Sequence, residues 1–153
     1  MDTNKNLTEK IPKEVSHVTN TLESAGFQAY LVGGCVRDLL IDREPKDWDV
    51  TTNAKPEQIV GLFEKTVYEN DFGTVGVCVP RETGDDVSSF EHTQDVSHET
   101  PEYFIVEVTP YRLEAKYSDF RHPDEVKFSD KIDEDIQRRD FTINAMAYRK
   151  NSV

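Results

Sequence analysis

The sequence predicts an α/β fold in which a small mixed sheet of about five strands carries helices against one face, with a site on an open edge. Short apolar segments bounded by glycine, proline or aspartate alternate with segments whose apolar residues recur every three or four positions. This pattern is typical of strands interleaved with amphipathic helices. The length of 153 residues suits one domain of ordinary size, and the aromatic fraction of 10% argues against wholesale disorder.

The elements can be placed in chain order. A first helix is predicted from Ile11 to Leu22, where apolar residues recur at helical spacing behind Pro12, and Gly26 ends it. The predicted strands are residues 27–32, 47–50, 66–68, 74–79 and 103–109. The remaining helices are predicted at residues 36–41, 56–63, 132–137 and 141–148, the last with Asp140 as its N-cap. Residues 112–128 lack a regular period and predict a loop that could move over a ligand.

Two aspartates mark the second strand as the chemical centre. Asp47 and Asp49 are two residues apart, so they project from the same face at a separation of about 7 Å, while Trp48 and Val50 form the apolar face. Carboxylates placed in this way can bracket two divalent ions that lie roughly 4 Å apart. The alternative is that they are solvated or cap the next helix, which is the commoner role of such a pair taken alone.

A glycine pair precedes these aspartates by about a dozen residues. Gly33 and Gly34 break the first strand, and glycine lets a ligand approach the backbone at the start of the following helix. Arg37, one turn later, offers a planar fork suited to phosphate oxygens, although the glycines could form only a turn and Arg37 a surface charge. The motif is neither a dinucleotide fingerprint nor a P-loop. A phosphate cradle followed by paired carboxylates predicts a magnesium-bound nucleoside triphosphate and a reaction at phosphorus.

Further candidates lie in the second half of the chain. Glu107 projects from its strand opposite Phe104, Val106 and Val108, and would complete a three-carboxylate cluster if that strand were adjacent to Asp49. Otherwise it is simply exposed. Later, Arg138 and Arg139 stand just before the predicted cap Asp140, where two guanidiniums and helix amides could share one anion.

Composition restricts the location and the partners. No run is long or apolar enough to span a bilayer and no signal peptide opens the chain, so a cytoplasmic location is expected. Cys35 and Cys78 lie in apolar segments as small core residues rather than a disulfide. The net charge of −12 disfavours direct binding of a nucleic-acid backbone. Half of it falls in residues 81–102, a predicted acidic surface insertion in which seven acidic residues oppose one arginine.

Six segments together carry a family resemblance. LVGGCVRDLL, KDWDVTT, FGTVGV, VEVTPYR, YSDFRHPDEVKF and RRDFTINAMAY occur in this order between about residues 27 and 148. With them the chain resembles the class II tRNA nucleotidyltransferase and bacterial poly(A) polymerase family, a branch of the polymerase-β-like superfamily. The combination is specific, because RRDFTINAMAY together with GGCVRD and DWD is hard to obtain by chance. The resemblance implies the polymerase-β-like nucleotidyltransferase fold.

The resemblance also implies residue roles. Asp47 and Asp49 match the family's two magnesium ligands, and Glu107 matches a third acidic position on the catalytic strand. Gly34 and Arg37 match its triphosphate-binding glycine and arginine. The other matched positions are Arg139, which contacts the nucleotide, Arg138, Asp140 and Asn144, which are associated with the ribose and incoming nucleotide, and Tyr117, Asp119 and Arg121 of the flexible loop.

The implied activity is template-independent addition of CCA to the 3′ end of tRNA. The primer 3′-hydroxyl would attack the α-phosphate of CTP or ATP with two Mg²⁺ ions bound, and tRNA would be held mainly by helical domains. The chain ends just after RRDFTINAMAY, before the neck motif that selects CTP or ATP, so residues 1–153 are expected to form a catalytic head without neck and body. Three features depart from the family pattern: the insertion at 81–102, Asp42 in place of a turn glycine, and Ala115 in place of a loop glycine.

Alternatives remain open at this level. Within the family, the chain could tail RNA 3′ ends with poly(A), since the residues that decide lie downstream. Outside it, the same carboxylates could serve a nucleotidyltransferase that modifies a small molecule. A non-catalytic module whose acidic surface binds Ca²⁺ or a basic partner is the third alternative.

Overall fold

The computed structural model describes residues 7–69, 73–81, 103–113, 127–139 and 144–149. Its centre is a mixed six-stranded sheet with the strand order β3-β4-β5-β2-β1-β6. The strands are β1 (Ala29–Val32), β2 (Asp49–Thr52), β3 (Thr66–Tyr68), β4 (Val75–Pro80), β5 (Tyr103–Pro110) and β6 (Ala147–Tyr148). Neighbouring strands run antiparallel except β2 and β5, which are parallel.

Four helices accompany the sheet in the described part of the chain. They are α1 (Lys13–Ser24), α2 (Gly34–Leu40), α3 (Pro56–Leu62) and α4 (Ile132–Gln137). The helical spacing in α1 buries Val15, Val18 and Leu22 completely, as predicted, and Gly26 ends the helical segment with a φ of 90°. Among the described residues, none of the helices is both long and apolar enough to cross a membrane.

One face of the sheet carries the core. Val50 of β2, Val106 and Val108 of β5 and Val77 of β4 are at most 1% exposed and pack beneath α1 and α3. Side chains alternate along a strand, so the residues between these valines face the other side. That opposite face carries the polar groups of β2 and β5, which is where a site can form.

The sheet has one more strand than the five predicted. The sixth, β6, lies within residues 141–148, which were predicted to form a helix, and the helix prediction is wrong at Ala147 and Tyr148. Their pairing partners are Val32 and Leu31 on the outer edge of β1, where unpaired backbone groups provide hydrogen bonds that a local helical preference cannot offset. The predicted cap Asp140 lies outside the described residues.

Candidate functional site

Two carboxylates meet where the parallel strands pair. Asp49 opens β2 and lies directly across from Glu107 in β5, so the strand adjacency on which the third carboxylate depended is present. A hydrogen bond from the protonated Glu107 carboxyl to Asp49, partial burial, and the negative charges of Asp49 and Asp47 together raise the pKa of Glu107 to about 7. Near neutral pH the Glu107 carboxyl is therefore protonated for about half of the time.

Asp47 lies just before β2 and is exposed, whereas Trp48 and Val50 are buried in the core. The alternation predicted from the sequence therefore holds even though the regular strand begins only at Asp49. The negative charge of Asp47 helps to raise the pKa of Glu107, so Asp47 lies close enough to act on the same face. These three acidic residues, Asp47, Asp49 and Glu107, are called the acidic face below.

The glycine pair shapes the start of α2. Gly33 has a φ of 74°, a conformation that other residues rarely adopt, and its N–H donates to the carbonyl of Met146. A Cβ on Gly34 would lie 3.4 Å from Nη2 of Arg37, so the absent side chain leaves room for that guanidinium. Arg37 donates through Nη1 to Oδ1 of Asn144 at 3.1 Å, which joins two of the predicted nucleotide-binding residues.

The acidic face and the glycine pair open into one cleft. Its volume is about 330 Å³, and its lining includes Gly34, Arg37, Asp47 and Asp49. Lys46 adds a further positive charge to the same wall. This space, called the nucleotide cleft below, combines backbone amides, guanidinium and carboxylates, which is the chemistry that a metal-bound polyphosphate requires.

A second cleft, of about 360 Å³, adjoins the nucleotide cleft. It shares Lys46 and Asp47 with the nucleotide cleft and extends past Glu107 along β5. Its remaining lining is Trp48, Glu69, Arg81, Tyr103, Phe104 and Ile105. Aromatic rings and cations combined in this way are typical of surfaces that stack and neutralise single-stranded nucleic acid. We call it the acceptor cleft.

Glu69 was not predicted from the sequence. In the structure its carboxylate reaches over Gly76, which pairs directly with Glu107, and a Cβ on Gly76 would collide with it. Glu69 thus brings a fourth carboxylate to the neighbourhood of the acidic face. No spacing within one segment could have identified Glu69, because its carboxylate comes near Glu107 only when β4 pairs with β5.

Arg138 and Arg139 do not line the nucleotide cleft but form ion pairs with one buried carboxylate. Arg138 donates to Oδ1 of Asp135 at 2.9 Å and Arg139 to Oδ2 at 3.0 Å. Asp135 has no solvent exposure and was not predicted to be functional. The signal was present in the sequence, since positions i, i+3 and i+4 share one face of a helix.

Magnesium suits the donors of this site. Carboxylate oxygens are its preferred protein ligands, and a cation between Asp49 and Glu107 would replace the proton that the raised pKa of Glu107 retains. Within the described ranges, however, no three His, Cys, Asp or Glu side chains are grouped closely enough to hold a metal ion. The acids therefore have suitable chemistry without converging, and a ligand would have to draw them together.

Some predicted site residues lie outside the described ranges. They are Asp140 of the RRDFTINAMAY segment and Tyr117, Asp119 and Arg121 of the predicted flexible loop. The acidic insertion at residues 81–102 is described only at Arg81. Roles assigned to these residues stay predictions.

Comparison with known proteins identifies relatives of this arrangement. Residues 29–153 match the family described as the poly A polymerase head domain. The CCA-adding enzyme of Lactobacillus helveticus (strain DPC 4571) is 44% identical over 131 residues, which cover 85% of this chain and 27% of that protein. That of Bacillus pumilus (strain SAFR-032) is 43% identical over 130 residues, with 85% and 27% covered.

Solved structures agree with the sequence relatives. The crystal structure of the Bacillus stearothermophilus CCA-adding enzyme in complex with CTP superposes with a TM-score of 0.65 at 30% identity. The match covers 90% of this chain and 27% of that one. The chain therefore spans only 27% of the length of each of these relatives.

Proposed function

The chain belongs to the poly A polymerase head domain family, and on that premise we propose that it is the catalytic head of an RNA nucleotidyltransferase that adds CCA to the 3′ end of tRNA. The curated relatives named above are CCA-adding enzymes, and the structural relative from Bacillus stearothermophilus binds CTP. The observation that carries the proposal is the nucleotide cleft, where Gly34 and Arg37 face Asp47 and Asp49.

The nucleoside triphosphate, CTP or ATP, would lie in the nucleotide cleft. Amides at the start of α2 and the guanidinium of Arg37 would bind its phosphate oxygens, and Lys46 would add charge at the same wall. Because Asn144 accepts a hydrogen bond from Arg37, it would hold that guanidinium in place. Arg37 also donates to Asp38 at 2.9 Å, which fixes the other side of the fork.

Asp47 and Asp49, with Glu107 beside them, would hold Mg²⁺ next to the α-phosphate. When bound, Mg²⁺ makes a hydroxyl more acidic and neutralises charge on the departing pyrophosphate. The carboxylates would hold the positive charge of the metal where the two clefts adjoin. Their mutual repulsion, visible in the raised pKa of Glu107, is the driving force for taking up a cation.

The primer would approach through the acceptor cleft. Transfer at phosphorus proceeds in line, so the attacking 3′-hydroxyl must lie opposite the leaving pyrophosphate. The two clefts have Lys46 and Asp47 in common and are otherwise lined by different residues, which leaves the primer a space separate from that of the triphosphate. The hydroxyl oxygen would form a bond to the α-phosphorus, and the bond to the pyrophosphate oxygen would break.

The relatives are several times longer than the segment that this chain matches, and we propose that the chain takes part in their activity as its catalytic part. We propose that most contacts with tRNA belong to the part of the relatives that this chain does not match, because an overall charge of −12 repels a phosphate backbone. A cytoplasmic location is part of the same proposal, since that is where tRNA and nucleoside triphosphates meet.

Incubation of the longest available form of the protein with labelled CTP and ATP and tRNA lacking its 3′ CCA tests the proposal, because the relatives are several times longer than the segment that this chain matches. The expected product is extended by a defined number of nucleotides, at most three. A long ladder made from ATP alone would favour poly(A) tailing, the alternative within the family. Label transferred to a small molecule but not to RNA would contradict both. The control variant is Glu57→Gln, an exposed acid on α3 that lines neither cleft, and it should leave the product unchanged.

A further inference from the structure

The most buried charged side chain in the described part of the molecule is Asp135 of α4, with no exposure to solvent. Taking an ionised carboxylate out of water is costly unless donors surround it. Each oxygen of the Asp135 carboxylate accepts hydrogen bonds from two residues. Oδ1 accepts from the backbone N–H of Arg112 at 3.1 Å and from Arg138, and Oδ2 accepts from the Thr51 hydroxyl at 3.3 Å and from Arg139.

The same contacts determine where α4 lies. Thr51 is two residues beyond Asp49 on β2, so both side chains face the same side of the sheet at a separation of about 7 Å. Arg112 lies two residues beyond the end of β5, the strand that carries Glu107. Through these two contacts Asp135 attaches α4 to the side of the sheet that carries the acidic face.

The two arginines are held in a way that leaves them able to bind a ligand. Each uses Nε and Nη2 on a single carboxylate oxygen, at distances of 2.9 to 3.1 Å. A guanidinium has five N–H groups, so three remain on each of Arg138 and Arg139 beyond the pair with Asp135. One carboxylate neutralises only one of the two positive charges, and the cluster keeps a net charge of +1.

We infer that Asp135 is a positioning residue, whose buried carboxylate holds the guanidiniums of Arg138 and Arg139 outside the nucleotide cleft, on the side of the sheet that carries the acidic face, so that they bind phosphate oxygens of the nucleotide that extend beyond that cleft. The inference rests on the proposed function for the identity of that ligand. Its physical basis is pre-organisation, because an arginine already fixed loses less side-chain entropy on binding than a free one.

The test measures binding of Mg-ATP and of inorganic tripolyphosphate to the chain by calorimetry. Asp135→Asn keeps the shape and removes the charge, and is expected to weaken both affinities about tenfold or more. Asp133→Asn is the matched control, since it makes the same charge change at an exposed site on the same helix. Unchanged affinity in Asp135→Asn would overturn the inference.

A double-mutant cycle separates positioning from a purely structural role. If Asp135 acts through Arg139, then Arg139→Gln weakens binding in the original chain and adds little in the Asp135→Asn background. Losses that multiply independently would mean that Asp135 only stabilises the fold, which contradicts the inference.

A second measurement needs no folded variant of Asp135. The Nε–H signals of the two arginines in a proton–nitrogen NMR spectrum of the original chain are expected to shift when tripolyphosphate is added. Signals that stay unchanged at saturating ligand would overturn the inference. If Asp135→Asn weakens binding as expected but the original chain transfers no nucleotide to any RNA, the positioning role of Asp135 stands and the proposed function is refuted.

Discussion

The raised pKa of Glu107 makes the stability of the chain depend on pH. The pKa of Glu107 rises from 4.5 to about 7 on folding, so the folded state binds this proton more tightly than the unfolded state. Stability is therefore greatest at low pH, falls as pH rises from about 4.5, and reaches its lower level above about 7. Glu107→Gln removes this titration.

The size of the effect follows from the pKa. Each tenfold change in proton affinity corresponds to about 1.4 kcal/mol, so the rise in pKa sets an upper limit of about 3 kcal/mol. The Glu107 side chain is partly exposed, so water screens its electrostatic interactions. This reduces its expected contribution to the free energy of unfolding to about 1 kcal/mol. The free energy of unfolding of the original chain should therefore fall relative to that of Glu107→Gln by about this amount between pH 5 and pH 8.

Urea denaturation across this pH range measures the difference directly. Glu57→Gln serves as the control, because Glu57 is an exposed acid on α3 away from the acidic face. A difference between the original chain and Glu107→Gln that stays constant with pH would refute the reasoning. Added Mg²⁺ should stabilise the original chain more at pH 8 than at pH 6, because protons compete for the same oxygens.

Four further outcomes are expected. Asp47→Ala or Asp49→Ala should abolish nucleotide transfer while the melting temperature stays within a few degrees, since neither side chain belongs to the core; full transfer activity would exclude the proposed chemistry. Gly33→Ala should lower the free energy of unfolding by about 1 to 2 kcal/mol in denaturation, because its φ of 74° strains any residue with a Cβ. Gly76→Ala should displace the Glu69 carboxylate with little change in the free energy of unfolding in urea denaturation, because the added Cβ would meet the far end of a flexible side chain. The chain should bind tRNA poorly in a filter-binding titration at physiological salt, because its net charge is −12; tight binding would contradict the division of labour proposed here.

Much of the fold could be predicted because its signals are local. The spacing of Val15, Val18 and Leu22 is enough to define α1, and the alternation around Asp49 is enough to define which side of β2 is chemical. The prediction failed for β6. Ala147 and Tyr148 are strand residues only because the edge of β1 is free to pair with them, and no pattern within residues 141–148 contains that information.

The candidate site divides in the same way. The motif GGCVRD and the pair Asp47 and Asp49 could be assigned from residue chemistry and spacing alone, and the structure places them at one cleft. Glu107 could be named only conditionally, because its value to the site depends on which strand lies next to β2. Asp135 could not be identified from its own segment. It is buried because α4 packs against Thr51 and Arg112, which lie far from it in sequence.

The amino-acid order by itself determined the direction of each side chain relative to its own strand or helix, because periods of 2 and 3.6 are properties of the backbone. Glycine without a Cβ likewise marked where a ligand could approach, whatever the rest of the fold did. Only tertiary structure decided that Glu107 lies across from Asp49 and that Asp135 is buried against Thr51 and Arg112. Both depend on contacts between residues far apart in sequence, whose electrostatic effects exist only once distant segments share a low-dielectric environment.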